Sequence, residues 1–165
     1  MSYVGILKGV LIVQDQTLRT ENQNNSGLRR AVWILNSNRW NSAITDYSLQ
    51  MAVTLNKKYN VTYSAKTGTP AAKRALELGV PVMPIDNFSL VEHDRFQRIH
   101  NTVRPYFTIT CLGVETTLIS LIKKDKFETR IRFRGERLRD GFLRKLSFKF
   151  IHKRFDGFIV PSQII

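Results

Sequence analysis

From residue 31 onward, short apolar runs rich in β-branched and aromatic residues alternate with segments of helical period, and this alternation narrows the possible folds more than any other feature of the chain. Two strands separated by a helix pair in parallel, because a parallel pair needs a crossover of a dozen or more residues, and right-handed crossovers lay helices over both faces of the sheet. Six strands are expected, at residues 31–35, 61–65, 80–85, 107–111, 129–133 and 157–161.

Between them, residues 43–58 carry Ile44, Tyr47, Met51 and Leu55 on one face, the spacing of an amphipathic helix. A second helix spans 70–78, with Thr69 as N-cap, Pro70 at the first helical position and Gly79 as the stop. Ser89 with Glu92 three residues later forms a capping box that opens a third helix to about residue 101, and Pro105 prevents its continuation. Residues 116–124 and 140–154 supply the last two helices, the latter with Leu143, Leu146, Phe150 and Ile151 as its apolar stripe. The expected fold is therefore α/β, a doubly wound, mostly parallel Rossmann-like sheet of about six strands. Such sheets bind ligands outside the carboxyl ends of their strands. That rule selects the loops 36–42, 66–68, 112–115, 134–139 and the segment from Ser162.

A chain of 165 residues with 42% hydrophobic content supports one complete core. The core is assigned to residues 30–165, and residues 1–29 are read as an appendage or linker without an assigned role. The apolar run at 3–13 is too short to span a bilayer, is broken by Lys8, and lacks the flanks of a signal peptide; the polar residues that follow include Asn22, Gln23, Asn24 and Asn25. The lone Cys111 has no partner for a disulfide and is expected in the core of a cytoplasmic protein.

The formal charge of +13 favours anionic partners and is unevenly spread, since residues 123–154 hold thirteen basic residues against four acids, a local net of +9. Within this region, Arg134, Gly135 and Glu136 follow a strand and are candidates for binding a phosphorylated or acidic ligand, whereas Arg130 and Arg132 inside the strand are expected to be structural or at an edge. A second candidate pocket is formed by Asn36, Asn38, Arg39 and Trp40, whose amides and guanidinium can hydrogen-bond hydroxyls and whose indole can stack on a sugar ring. Asn41, Glu115 and Ser162 are weaker candidates, and helix capping is the competing role for Glu115. His93, His100 and His152 lack metal-ligand spacing, and there is no Walker loop, zinc pattern or Ser-His-Asp order. The basic helix at 140–154, with its phenylalanines, suits an anionic membrane surface.

The order of these elements, with Ala72 through Ile85 (AKRALELGVPVMPI) and the closing Phe155-Asp156-Gly157-Phe158-Ile159-Val160-Pro161-Ser162, resembles the N-terminal domain of GT-B glycosyltransferases of family 4. The likeness extends to the strand and loop Trp33 through Ala43, to Pro105-Tyr106-Phe107-Thr108-Ile109, and to Arg132-Phe133-Arg134-Gly135-Glu136. The chain departs from the family pattern at Asn41-Ser42, where a Gly-Gly pair is usual, at Tyr106, where an aspartate is usual, and at the end of the fourth strand, which has no histidine.

The resemblance implies the acceptor-binding side of a cleft for sugar transfer, with a glycan or glycolipid acceptor in lipopolysaccharide or other envelope glycan synthesis. It implies no cofactor or metal of the chain's own and assigns no catalytic residue. The nucleotide-sugar donor is expected only with a C-terminal donor-binding domain, absent here and supplied in the same or a separate chain, so that this chain alone is expected to be inactive. The implied location is cytoplasmic, peripheral on the inner face of the plasma membrane. The rival readings are a basic nucleic-acid-binding module, which lacks a helix-turn-helix or zinc pattern, and a non-catalytic truncated remnant.

Overall fold

The computed structural model describes residues 3–7, 10–14, 29–40, 42–133, 150–151 and 153–161. In chain order the elements are β1 (Tyr3–Leu7), β2 (Val10–Gln14), β3 (Ala31–Asn36), α1 (Ala43–Asn56), β4 (Asn60–Lys66), α2 (Pro70–Glu77), β5 (Val82–Ile85), a 3-10 turn (Leu90–Glu92), α3 (His93–Val103), β6 (Phe107–Thr110), α4 (Gly113–Leu121), β7 (Thr129–Phe133) and β8 (Gly157–Pro161). They build one eight-stranded sheet in the order β1-β2-β8-β7-β6-β3-β4-β5. The six strands from β3 to β8 run parallel. Read from the β5 edge, their order is that of a doubly wound Rossmann sheet, with the topological switch between β3 and β6.

Side chains alternate across β3 as the pleat requires. Val32 and Ile34 face α1 and α2, packing with Leu49, Ala52 and Ala75, while Trp33 and Leu35 face α3 and α4, packing with Phe96, Leu118 and Ile119. The small residues Ala71, Ala72 and Ala75 let α2 lie close to the sheet. Trp33 is fully buried, and its indole N–H is satisfied by Ser64 Oγ at 2.9 Å.

Local signals account for most boundaries, and the exceptions have identifiable causes. Thr69 caps α2 as expected, accepting the Ala72 N–H. At the other end Gly79 adopts φ +70, the Gly79 N–H donates to Leu76 O and the Val80 N–H to Ala75 O, which is a Schellman ending. That commitment of the Val80 donor, with Pro81 next, delays the start of β5 to Val82 rather than residue 80. The capping box at Ser89 does not form: the Ser89 side chain makes no capping bond, and a 3-10 turn leads into α3 instead. Helix α4 starts three residues before the expected 116, because Glu115 reaches back to cap it.

The hairpin of β1 and β2 continues the sheet beyond β8, Val10 lying opposite Pro161 in antiparallel register. Reading residues 1–29 as an appendage gave these two strands no place. Residues 134–149, which hold most of the expected basic helix, lie outside the described residues. Among the described residues no helix is long and apolar enough to cross a membrane.

At the amino-terminal ends of β6 and β7 the core holds an ionic cluster. The Glu128 carboxylate accepts from Thr108 Oγ1 (2.5 Å), Arg130 Nε (3.1 Å), His100 Nε2 (3.0 Å) and the Asp125 N–H (3.2 Å). The side chains of Glu128, Arg130 and His100 are wholly shielded from solvent. Arg130 also donates through Nη1 to the carbonyls of Ile119 and Ile122, closing the carboxyl end of α4 with a positive charge. Burial pushes the Glu128 carboxyl up, but the bonds from His100, Arg130 and Thr108 outweigh it and hold the group down at about 2. Arg130 is thus structural, as its place inside a strand indicated.

Candidate functional site

Open α/β sheets hold ligands in a crevice at the switch in strand order, which here lies between β3 and β6, beside the residues that follow β3 and the turn at Cys111 and Leu112. Asn36, the last residue of β3, is fully buried beneath it. Its Nδ2 donates to Tyr63 Oη at 2.9 Å and Ser48 Oγ at 3.1 Å, and its Oδ1 accepts the Asn38 N–H at 2.9 Å. Asn38 repeats the device: its Oδ1 accepts the Trp40 N–H at 3.2 Å, and its Nδ2 donates to Ser42 Oγ at 2.6 Å and Thr45 Oγ1 at 3.2 Å. Two consecutive Asx turns therefore set the loop, and Ser42 caps α1 by accepting the Thr45 N–H. The amides that sequence reasoning offered to a ligand are directed into the protein. They shape the loop.

Arg39 and Trp40 differ, for both stand exposed, Trp40 with 75% of its surface in solvent. The two Asx turns thus leave one guanidinium and one indole exposed at the switch point. Asn41, Arg134, Gly135, Glu136 and Ser162 lie outside the described residues.

Glu115 is fully buried in the first turn of α4. It accepts the Leu112 N–H at 2.7 Å, the Ser37 N–H at 3.2 Å and the Ser37 hydroxyl at 2.5 Å. Glu115 thus takes up the N–H of the N-cap residue Leu112 and in the same stroke joins the β3 loop to the β6 turn. Burial raises its carboxyl above the ordinary value, while the bonds from Ser37 and Leu112 oppose that rise. With no surface of its own, Glu115 cannot exchange a proton with a bound molecule; it acts as a clamp. Burial, with Glu115 as a further cause, pushes the Cys111 thiol well up, which leaves it inert as a nucleophile. Burial likewise raises Tyr63, whose hydroxyl serves Asn36 and Ser48 in neutral form.

Towards the β5 edge, Thr67 Oγ1 donates to Asp86 Oδ1 at 2.6 Å, linking the ends of β4 and β5, and Arg95 lies 3.9 Å from the same carboxylate. Asp86 is exposed and follows a strand directly. The rule that selected the other loops would have found it had the loop after the third strand been included. Among the described residues no three His, Cys, Asp or Glu side chains gather as a metal site requires. His93 is exposed beside Asp94, and His100 belongs to the Glu128 cluster at the other end of the sheet.

No family model matches the chain, and none of the curated proteins matches it. Among solved structures the chain is similar to one described as a "putative epimerase" from Burkholderia cenocepacia, at 16% identity and a TM-score of 0.47, covering 78% of this chain and 52% of that one. The chain thus spans about half the length of that structure. Strand order, parallel register and helices on both faces identify this protein as a Rossmann-like α/β domain.

Proposed function

We propose that this chain is the acceptor-binding domain of a GT-B glycosyltransferase and that the loop after β3 receives the sugar to be extended. The observation that carries the reading is the exposed Arg39–Trp40 pair, held at the switch point by the inward-facing side chains of Asn36 and Asn38. An indole offers a flat apolar surface to a sugar ring, and a guanidinium bonds its hydroxyls or an attached phosphate. In this reading Arg134, Gly135, Glu136 and Ser162 are further candidates for contact with the acceptor. The nucleotide-sugar donor and the groups that assist transfer come from a second domain. The formal charge of +13 suits work beside an anionic membrane on its cytoplasmic face, with a lipopolysaccharide or other envelope glycan as acceptor.

The chain has two tryptophans, of which Trp33 is fully buried and Trp40 exposed, so quenching by acrylamide reports on Trp40. Titration with lipopolysaccharide core oligosaccharide is expected to protect the exposed indole, and Trp40→Ala is expected to abolish both the signal and the binding measured by calorimetry. Failure of such oligosaccharides to bind, together with salt-sensitive retention of a single-stranded oligonucleotide, would move the protein to the nucleic-acid class.

A further inference from the structure

The opposite end of the sheet holds a concavity of about 350 Å³ that the switch-point crevice does not explain. It lies where Arg104, Pro105 and Tyr106 lead into β6 and where residues 125–128 lead into β7. In a parallel sheet all such lead-ins share the amino-terminal edge, so this concavity is separate from the loops that follow the strands.

Its lining combines three chemistries. Arg104 and Lys126 bring positive charge, Tyr106 and Phe127 bring aromatic surface, and Asp125 brings an exposed acceptor, while the carboxylate of Glu128, also in the lining, is taken up by His100 and Arg130. Phe127 leaves 58% of its surface in water, and Lys126 Nζ lies 5.3 Å from its ring centroid, so cation and ring are presented together. Tyr106 is fixed by Arg30, whose guanidinium carbon lies 4.3 Å from the ring centroid, and by an edge contact with Phe107. Among the described residues neither Arg104 nor Lys126 forms an ion pair.

The backbone supplies an independent observation. Arg104 adopts φ +46 and ψ 59 at the carboxyl end of α3, a left-handed conformation that glycine or asparagine takes at lower cost. Of the described non-glycine residues it alone has positive φ. Its N–H bonds His100 O whatever the side chain, so the ending of the helix does not require arginine. Strain held at one position, with the side chain lining a concavity, marks a residue kept for what its side chain does.

We infer that this concavity binds a nucleotide, with the phosphate taken by Arg104 and Lys126 and the base laid against Phe127 and Tyr106. Asp125 accepts from an amino or hydroxyl group of the same ligand. Both cations engage phosphate by charge-assisted hydrogen bonds, and the aromatic pair distinguishes a nucleotide from a plain anion. The site is independent of the glycosyltransferase reading.

Calorimetric titration at low ionic strength with AMP, adenosine, ribose 5-phosphate and inorganic phosphate tests the inference. AMP is expected to bind at least about tenfold more tightly than any of the other three. Arg104→Gly removes the cation while relieving the backbone, so the variant should keep or raise the melting temperature yet bind AMP about tenfold more weakly. Lys126→Ala, at an exposed turn, should show the same loss. The inference is overturned by absence of AMP binding, by AMP binding no better than adenosine or inorganic phosphate, or by Arg104→Gly and Lys126→Ala each binding AMP as the parent does.

Discussion

Removing the Glu128 carboxylate should cost this protein a large part of its stability, and the size of the loss can be worked out in two ways. Four donors meet the group inside a solvent-free cluster, and they hold it at about 2 against an ordinary 4.5. A depression of that size corresponds to about 3 kcal/mol of stability. Because the folded value is the lower one, this contribution is complete above about pH 5 and is lost as the pH falls towards 2. The second route starts from the variant: Glu128→Ala strands the Arg130 guanidinium in the core without its counter-charge, for which about 3–5 kcal/mol is typical. The two figures agree. For a chain of this length the melting temperature should fall by roughly 6–20 °C. Urea unfolding followed by far-ultraviolet circular dichroism at pH 7 and pH 3 gives the measurement, and the variant should lose much of the parent's acid sensitivity. The double variant Glu128→Ala/Arg130→Met should recover much of the loss, since no lone charge then remains. A Glu128→Ala cost below about 1 kcal/mol, or an equal cost with and without Arg130→Met, would refute the reasoning.

Four further outcomes follow from the same geometry. Glu115→Ala leaves the Leu112 and Ser37 donors without their acceptor and should cost about 2–4 kcal/mol, with faster amide exchange of Ser37 as the local signature. Glu115 also carries the opposite pH sign from Glu128: its folded value is raised, so stability falls as the pH rises above about 4.5 until the folded value is passed, and Glu115→Gln should remove that fall. Gly79→Ala meets no atom within 4 Å but must adopt φ +70, and should destabilise by about 1 kcal/mol in urea unfolding. Arg104→Gly, by the reverse argument, should stabilise by up to about 1 kcal/mol in the same assay.

The sequence made the architecture legible because helix and strand periods alternate without interruption, and for Thr129–Phe133 and Gly157–Pro161 even the bounds agree with expectation. Where boundaries moved, a donor or acceptor had been claimed from elsewhere, as with Val80 by the end of α2 and Leu112 by Glu115. The site was legible only in outline. The rule for open α/β sheets located the loop after β3, but the inward turn of Asn36 depends on Ser48 and Tyr63, 12 and 27 residues away. The bond from Ser37 to Glu115 spans 78 residues, and no local pattern encodes a pairing of that range. The same holds for the bond between His100 and Glu128, which spans 28 residues.

The clamp from Ser37 to Glu115 has a consequence for the proposed acceptor site. Because β3 and β6 are hydrogen-bonded neighbours and the clamp joins the segments that follow them, the width of the crevice is set by the register of the sheet rather than by side-chain adjustment. This wall loses little conformational entropy on association, because its order precedes the ligand. It also has little freedom to mould itself around a poor fit. In the proposed acceptor site, any closing motion is therefore left to the acceptor or to whatever faces this side, which serves as the fixed jaw.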